Sequence, residues 1–363
     1  GSCCILLHQE RILAERKRIH TTVFDVAFSP CGNFFAACNN FGSIAVFSLS
    51  SALAPDADYQ SRKPIFTFEA QSQSAPIYTL LSTDTFLISG GSSEITGWRW
   101  DDILEMVGFT THHSNNASSG TQGYIRSLVT HSQRNTPGNE STGPSWTLSP
   151  PSSAVGVPET NAIAYDKENN TLLSGCGDNN IYSWDLEIGT RKELIFHSFV
   201  QNTFTGHADY VQSLALRSSS NECLSGSEDG SVRFWDCRSG SMTNMVEPYK
   251  DKNLNRPKFG KWIGCVALDS NEEWMVCGGG PRLSVWHLRS LTCTGVLDTP
   301  NSSQQNALFH EDTIITSGTE PSVFHWQVNG ELRSQIPCTA SCAYAMRINS
   351  ASPQKKVSNR SNT

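Results

Sequence analysis

Apolar and polar residues alternate along most of this chain, in short runs separated by Gly, Asn, Asp and Ser. A period of two places every second side chain on one face, so each run reads as a strand with one buried side. The clearest stretch is Phe204 to Arg238. There Tyr210-Val211-Gln212-Ser213-Leu214-Ala215-Leu216 passes through a polar turn, Ser218 to Asn221, into Cys223-Leu224-Ser225-Gly226-Ser227. An acidic turn, Glu228-Asp229-Gly230, then leads to Ser231-Val232-Arg233-Phe234-Trp235-Asp236. Asp-Gly between two alternating runs is a strong hairpin signal.

The same unit recurs. It starts at Val23-Phe24-Asp25-Val26-Ala27-Phe28, at Ile77-Tyr78-Thr79-Leu80-Leu81, and at Ala162-Ile163-Ala164-Tyr165. It starts again at Trp262-Ile263-Gly264-Cys265-Val266 and at Asn306-Ala307-Leu308-Phe309. A seventh unit opens at Cys342 to Ile348, but Ser350 to Thr363 offers only Ala351 and Val357 as apolar residues. That unit is expected to stop after one strand. From about 108 to 159 the alternation ceases among Ser, Asn, Thr, Gly and Pro, which predicts a mobile polar insert. Ahead of the repeats, Ile5, Ile12 and Ile19 recur every seventh residue among charged positions, which predicts a short helix from Ile5 to Ile19. The expected division is an N-terminal helix (1–20), a repeat array (21–350) and a disordered tail (351–363).

The Gly206-His207 opening and Trp235-Asp236 close resemble one WD repeat, and a fold of such repeats is an all-β WD-repeat β-propeller. Seven blades are expected, the last one incomplete. In WD repeats, His207, Ser225, Asp229 and Trp235 match a buried hydrogen-bonded tetrad that ties one blade together. Ser174, Asp178 and Trp184 repeat part of its spacing. A His, a Ser and an Asp could instead suggest a hydrolase, but recurrence at the repeat period marks a structural set. A serine locked in such a network has no room for a substrate carbonyl. In the first unit Phe47, Phe41 and Ala37 replace the Trp, Asp and Ser, so that blade is expected to rest on apolar packing alone.

Composition narrows the function. The net charge of −7 over 363 residues argues against strong direct nucleic-acid binding unless a local basic patch supplies it. The 12 cysteines form no C-x-x-C pair, which leaves zinc or a redox dithiol little support. They read as buried free thiols of a reducing compartment. His112-His113 lies in polar surroundings and reads as solvated, so neither a metal nor any cofactor is expected. No secretory signal is apparent, and no apolar run is long enough to cross a membrane. Gly1-Ser2 in place of Met suggests a cloning remnant or a fragment.

A finer resemblance rests on particular phrases. They are Thr22-Val23-Phe24 with Ser29-Pro30-Cys31-Gly32, Ile44 to Leu53, Pro158 to Ala162, and Lys261 to Cys265. The most particular is Trp274-Met275-Val276-Cys277-Gly278-Gly279-Gly280-Pro281, continued by Trp286-His287-Leu288-Arg289-Ser290. These resemble the THO complex subunit 6 family of WD-repeat propellers. The resemblance implies a non-catalytic nuclear scaffold for THO/TREX assembly in mRNA processing and export. Its partners would be other THO subunits, coiled-coil ones among them, with Ile5, Ile12 and Ile19 as a docking seam. The rival reading takes Trp235, Asp236 and Arg238 as a WD-x-R box docking on the adaptor of a cullin-RING ubiquitin ligase.

Overall fold

The computed structural model describes residues 12, 15–17, 19–71, 74–106, 143–154, 156–186 and 200–351. Six four-stranded antiparallel sheets form, each built from consecutive strands. Blade one comprises Val23–Phe28, Phe34–Asn39, Ser43–Ser48 and Phe66–Glu69; blade two comprises Ile77–Ser82, Phe86–Gly91, Ile95–Arg99 and Trp146–Leu148. Blade three runs Thr160–Asp166, Thr171–Cys176, Ile181–Asp185 and Val200–Phe204. Blade four runs Val211–Arg217, Glu222–Ser227, Val232–Asp236 and Met242–Val246. Ile263–Leu268, Trp274–Gly279, Leu283–His287 and Thr292–Leu297 make blade five; Gln304–His310, Thr313–Gly318, Ser322–Gln327 and Leu332–Pro337 make blade six. The first strand of each blade lines a central channel.

A blade cannot bury both faces alone, so each one uses its neighbour. Leu80, Leu87 and Trp98 of blade two pack on Ala36, Ile44 and Val46 of blade one. Met275 and Trp286 of blade five close on Leu224 and Phe234 of blade four in the same way. Glycines occupy the positions of closest approach: a Cβ on Gly226 would sit 2.6 Å from Ile263 Cγ2 of the next blade.

The structure corrects four expectations. Among the described residues it has six blades rather than seven, and Cys342–Ile348 belongs to no sheet. That segment lies between blades six and one, where Ala343 N–H donates to Gly318 O at 3.0 Å. With no second strand beside it, it has nothing to form a ladder with. Trp146–Leu148 falls inside the expected polar insert yet forms the outer strand of blade two, pairing Gly97 with Trp146. Two buried side chains, Trp146 and Leu148, explain why. Phe204 ends the outer strand of blade three rather than opening blade four, because the sequence repeat and the sheet are offset by one strand.

The fourth correction concerns blade one, which is not held by apolar packing alone. Asp25 is buried at its inner end and accepts from Leu80 N–H of blade two at 2.9 Å. The Arg347 guanidinium reaches the same carboxylate at 2.7 Å. Asn349 Nδ2 donates to Gly32 O at 2.8 Å, so the last described segment is tied to the first blade.

Among the described residues the place of a seventh sheet is otherwise open. Val26, Phe28, Phe35 and Phe47 on blade one are only partly buried. By register they correspond to blade-two residues such as Leu80, Leu87 and Trp98, which are buried. Ile315, Val323 and Ile336 on blade six likewise stand partly or fully open, where Val276, Leu283 and Leu297 of blade five are buried. Phe35 and Phe47 stack on each other at 4.6 Å in that gap.

At the N-terminus, Ile12, Glu15–Lys17 and Ile19 are helical. Ile5 lies outside the described residues, as do 108–142 and 155 of the expected insert and 352–363 of the expected tail. Leu49–Ala52 and Trp100–Met106 add two short helices between strands.

Candidate functional site

In blade four the chain brings four side chains into one line. Val232–Asp236 pairs with Glu222–Ser227 so that Trp235 lies opposite Cys223, two residues from Ser225. Trp235 Nε1–H donates to Ser225 Oγ at 2.8 Å. Ser225 Oγ is 2.7 Å from His207 Nε2, and His207 Nδ1 is 2.8 Å from Asp229 Oδ2. An indole can only donate and a carboxylate only accept, so the chain of bonds has one direction with a neutral imidazole. Ser225 donates to Nε2, and Nδ1–H donates to Asp229.

Asp229 holds more than the histidine. It accepts from Ala208 N–H at 3.0 Å, Ser231 N–H at 2.8 Å and the Ser231 hydroxyl at 2.6 Å. Burial alone would raise its carboxyl, but the bonds from His207, Ser231 and Ala208 outweigh it and hold it well below the usual range. Burial pushes His207 below its ordinary value, against the pull of Asp229. Ser225 is fully enclosed and has both neighbours committed, so it offers no nucleophile.

Blade one has Phe47 in place of the indole; blade three keeps the indole bond to a serine at the same spacing, and blades two, five and six keep it with a different acceptor. In blade three Trp184 Nε1–H donates to Ser174 Oγ at 3.1 Å, while Asp178 bonds the Tyr182 hydroxyl instead of a histidine. Trp326 donates to Thr316 at 3.0 Å in blade six. Trp98 and Trp286 turn to a residue two positions back on their own strand, Thr96 at 3.1 Å and Ser284 at 2.7 Å. An acceptor of that kind has no sequence spacing in common with Ser225, which is why repeat matching overlooked Thr96 and Ser284.

At the WD-x-R box Trp235 is buried, Asp236 is half-buried and Arg238 is exposed. Asp236 Oδ1 accepts from Arg238 N–H at 2.7 Å and Ser239 N–H at 3.2 Å, which shapes the turn after the strand. In the N-terminal helix Ile12 is 41% and Ile19 64% exposed, so neither sits in the propeller's core.

The channel holds a cavity of about 310 Å³ lined by all six blades with Tyr344 and Arg347. Its charged lining groups, Asp25 and Arg347, are spent on each other. Burial raises the Asp25 carboxyl, opposed by Arg347 and the N–H groups of Leu80 and Val26. Sequence reading missed this pair, because its members stand at opposite ends of the chain. The available signal was a charged residue inside each of two alternating apolar runs. Among the described residues no group of three or more His, Cys, Asp or Glu is placed to hold a metal. No described helix is long and apolar enough to cross a membrane.

Known proteins extend this picture. The model of the WD domain, G-beta repeat, matches residues 16–43, 144–185 and 199–236. THO complex subunit 6 of Homo sapiens is 37% identical over 354 residues, which is 97% of this chain and 90% of that protein. The THO complex subunit 6 homolog of Danio rerio is 37% identical over 340 residues, 93% of this chain and 90% of its own length. THO complex subunit 6 of Drosophila melanogaster is 31% identical over 344 residues, covering 94% and 84%.

Proposed function

Because this chain belongs to the THO complex subunit 6 family, we propose that it is a non-catalytic scaffold subunit of a THO complex. In that role it presents its rims to other subunits and supports THO/TREX assembly in nuclear mRNA processing and export. The carrying observation is identity of 37% over 97% of the chain to a protein of that name, on a propeller whose buried His, Ser and Asp bond one another. The tetrad residues His207, Ser225, Asp229 and Trp235 serve stability in this reading, with Ser174, Asp178 and Trp184 doing part of the same. The exposed Ile12 and Ile19 suit a seam for a helical partner, since heptad spacing suits helix-on-helix contact.

Affinity purification of the tagged chain from nuclear extract, read by mass spectrometry, tests this directly. Recovery of THO subunits is expected. Recovery of a ligase adaptor without THO subunits, lost on Arg238→Ala, would overturn the scaffold reading in favour of the WD-x-R one.

A further inference from the structure

The connection from blade four to blade five carries a concentration of positive charge that the assembly role does not explain. Between Glu247 and Trp262 stand Lys250, Lys252, Arg256, Lys258 and Lys261, against Glu247 and Asp251, on a chain whose net charge is −7. The two acids are used locally. Glu247 pairs with Lys250 at 2.5 Å, and Asp251 Oδ1 accepts from Asn253 N–H at 2.8 Å. Among the described residues Lys252, Lys258 and Lys261 form no ion pair, and all three are exposed.

The loop is also fixed in shape. Arg256 is 7% exposed and spends its guanidinium on backbone carbonyls. It donates to Gly280 O at 2.9 Å, Thr299 O at 2.9 Å, Ser302 O at 2.8 Å and Gly279 O at 3.0 Å. Those carbonyls lie at the end of Trp274–Gly279, in the turn after it and in the connection to blade six, so one buried cation staples the loop to its neighbours. Arg282 adds a bond to Asn253 O at 2.9 Å. The lysines then sit on a prepared base. Lys250 and Lys261 lie 5.9 and 5.6 Å from the Tyr249 ring centre, and Lys258 lies 5.5 Å from that of Phe259. Cation–π attraction gathers the ammonium groups over two rings instead of letting them spread into water.

We propose that this loop, from Tyr249 to Trp262, is a docking surface for an acidic polypeptide segment of a partner protein. The rings decide between a peptide and a nucleic acid. Single strands are held by aromatic faces on which bases stack, and these faces carry cations. The third aromatic, Trp262, lies against Gly279, where a Cβ would come within 2.7 Å of its ring, and its N–H is bound to Phe259 O at 2.8 Å. A long polyanion would also meet the repulsion of the acidic body, whereas a short acidic segment meets the loop alone.

The test measures fluorescence anisotropy of a labelled oligoglutamate peptide and a labelled oligouridylate with the whole chain at low salt. Reversing three lysines (Lys252→Glu, Lys258→Glu, Lys261→Glu) is expected to weaken oligoglutamate binding about tenfold or more. Reversing Arg62 and Lys63, on the chain between the third and outer strands of blade one, is expected to leave it unchanged. All these side chains are exposed, so melting temperatures should match wild type; the milder Lys→Ala set stands in if they do not. Equal oligoglutamate binding by wild type and the triple variant would overturn the proposal, as would equal losses from both sets of reversals. Tighter binding of oligouridylate than of oligoglutamate, lost in the triple variant, would make the loop a nucleic-acid site instead.

Discussion

Trp235 fills a place that few side chains could. Its ring is 1% exposed and its N–H starts the bonded chain that ends at Asp229. Trp235→Ala removes that ring and leaves Ser225 without its donor, so a loss of about 3–5 kcal/mol is expected in chemical unfolding. Stability equal to wild type would remove the tetrad's structural role. Phe47→Trp in blade one should bring no gain, since Ala37 offers no acceptor and Phe47 already stacks on Phe35. Acid should act on the same network. The folded values of His207 and Asp229 both lie below their ordinary ones, so the unfolded chain binds more protons. Their contribution is fully present above a pH of about 6.5 and is lost as pH falls through the folded value of His207, then through that of Asp229. Asp25 works the other way, since its raised carboxyl yields stability at acid pH that fades as pH climbs through the folded value. Urea unfolding of wild type and His207→Gln between pH about 7.5 and 5 should show a steeper acid loss in wild type. Parallel curves would mean that His207 does not titrate on unfolding.

Elements differ in how plainly the sequence announces them. The second and third strands of blades two to five stand out because neighbouring blades bury both of their faces, as at Phe86–Gly91 and Ile95–Arg99. Two of the outer strands carry no such run: Leu332–Pro337 is exposed throughout, and Met242–Val246 at every residue but Val246. Trp146–Leu148 is three residues in polar surroundings, too short for any period to show. In blade four the residues that recur at the repeat spacing do meet, whereas in blade three Asp178 turned to Tyr182, a choice made by proximity rather than by spacing. The Asp25–Arg347 pair was invisible for the same reason. The N-terminal helix can be tested as an element. With Ile12 and Ile19 largely open, deleting residues 1–20 should leave the melting temperature nearly unchanged and weaken co-purification of helical THO subunits. A sharply lowered melting temperature with intact co-purification would rule the docking seam out.

For the whole molecule, the bond between Asp25 and Arg347 has the longest reach, since it ties blade one to the segment beyond blade six. Arg347→Met leaves a buried carboxylate without its partner and should cost about 2 kcal/mol, tempered because Arg347 is partly in water. Asp25→Asn with Arg347→Met should cost less than Arg347→Met alone, and a double-mutant cycle measures the difference. Additive losses would show that the two groups do not depend on each other.

The open place between blades six and one also sets the order in which the ring comes apart. Five of its seams are apolar sheet-on-sheet contacts, and the sixth is a single segment outside any sheet with a few side-chain bonds. Opening there exposes little apolar surface, so it costs far less than global unfolding. Amide hydrogen exchange should therefore run fastest, among the channel-lining backbones, at Cys342 to Asn349 and next at Val23–Phe28. The protected amides of Val211–Arg217, across the ring, should exchange last. A propeller of this build breathes from one side, like a ring cut at a known point.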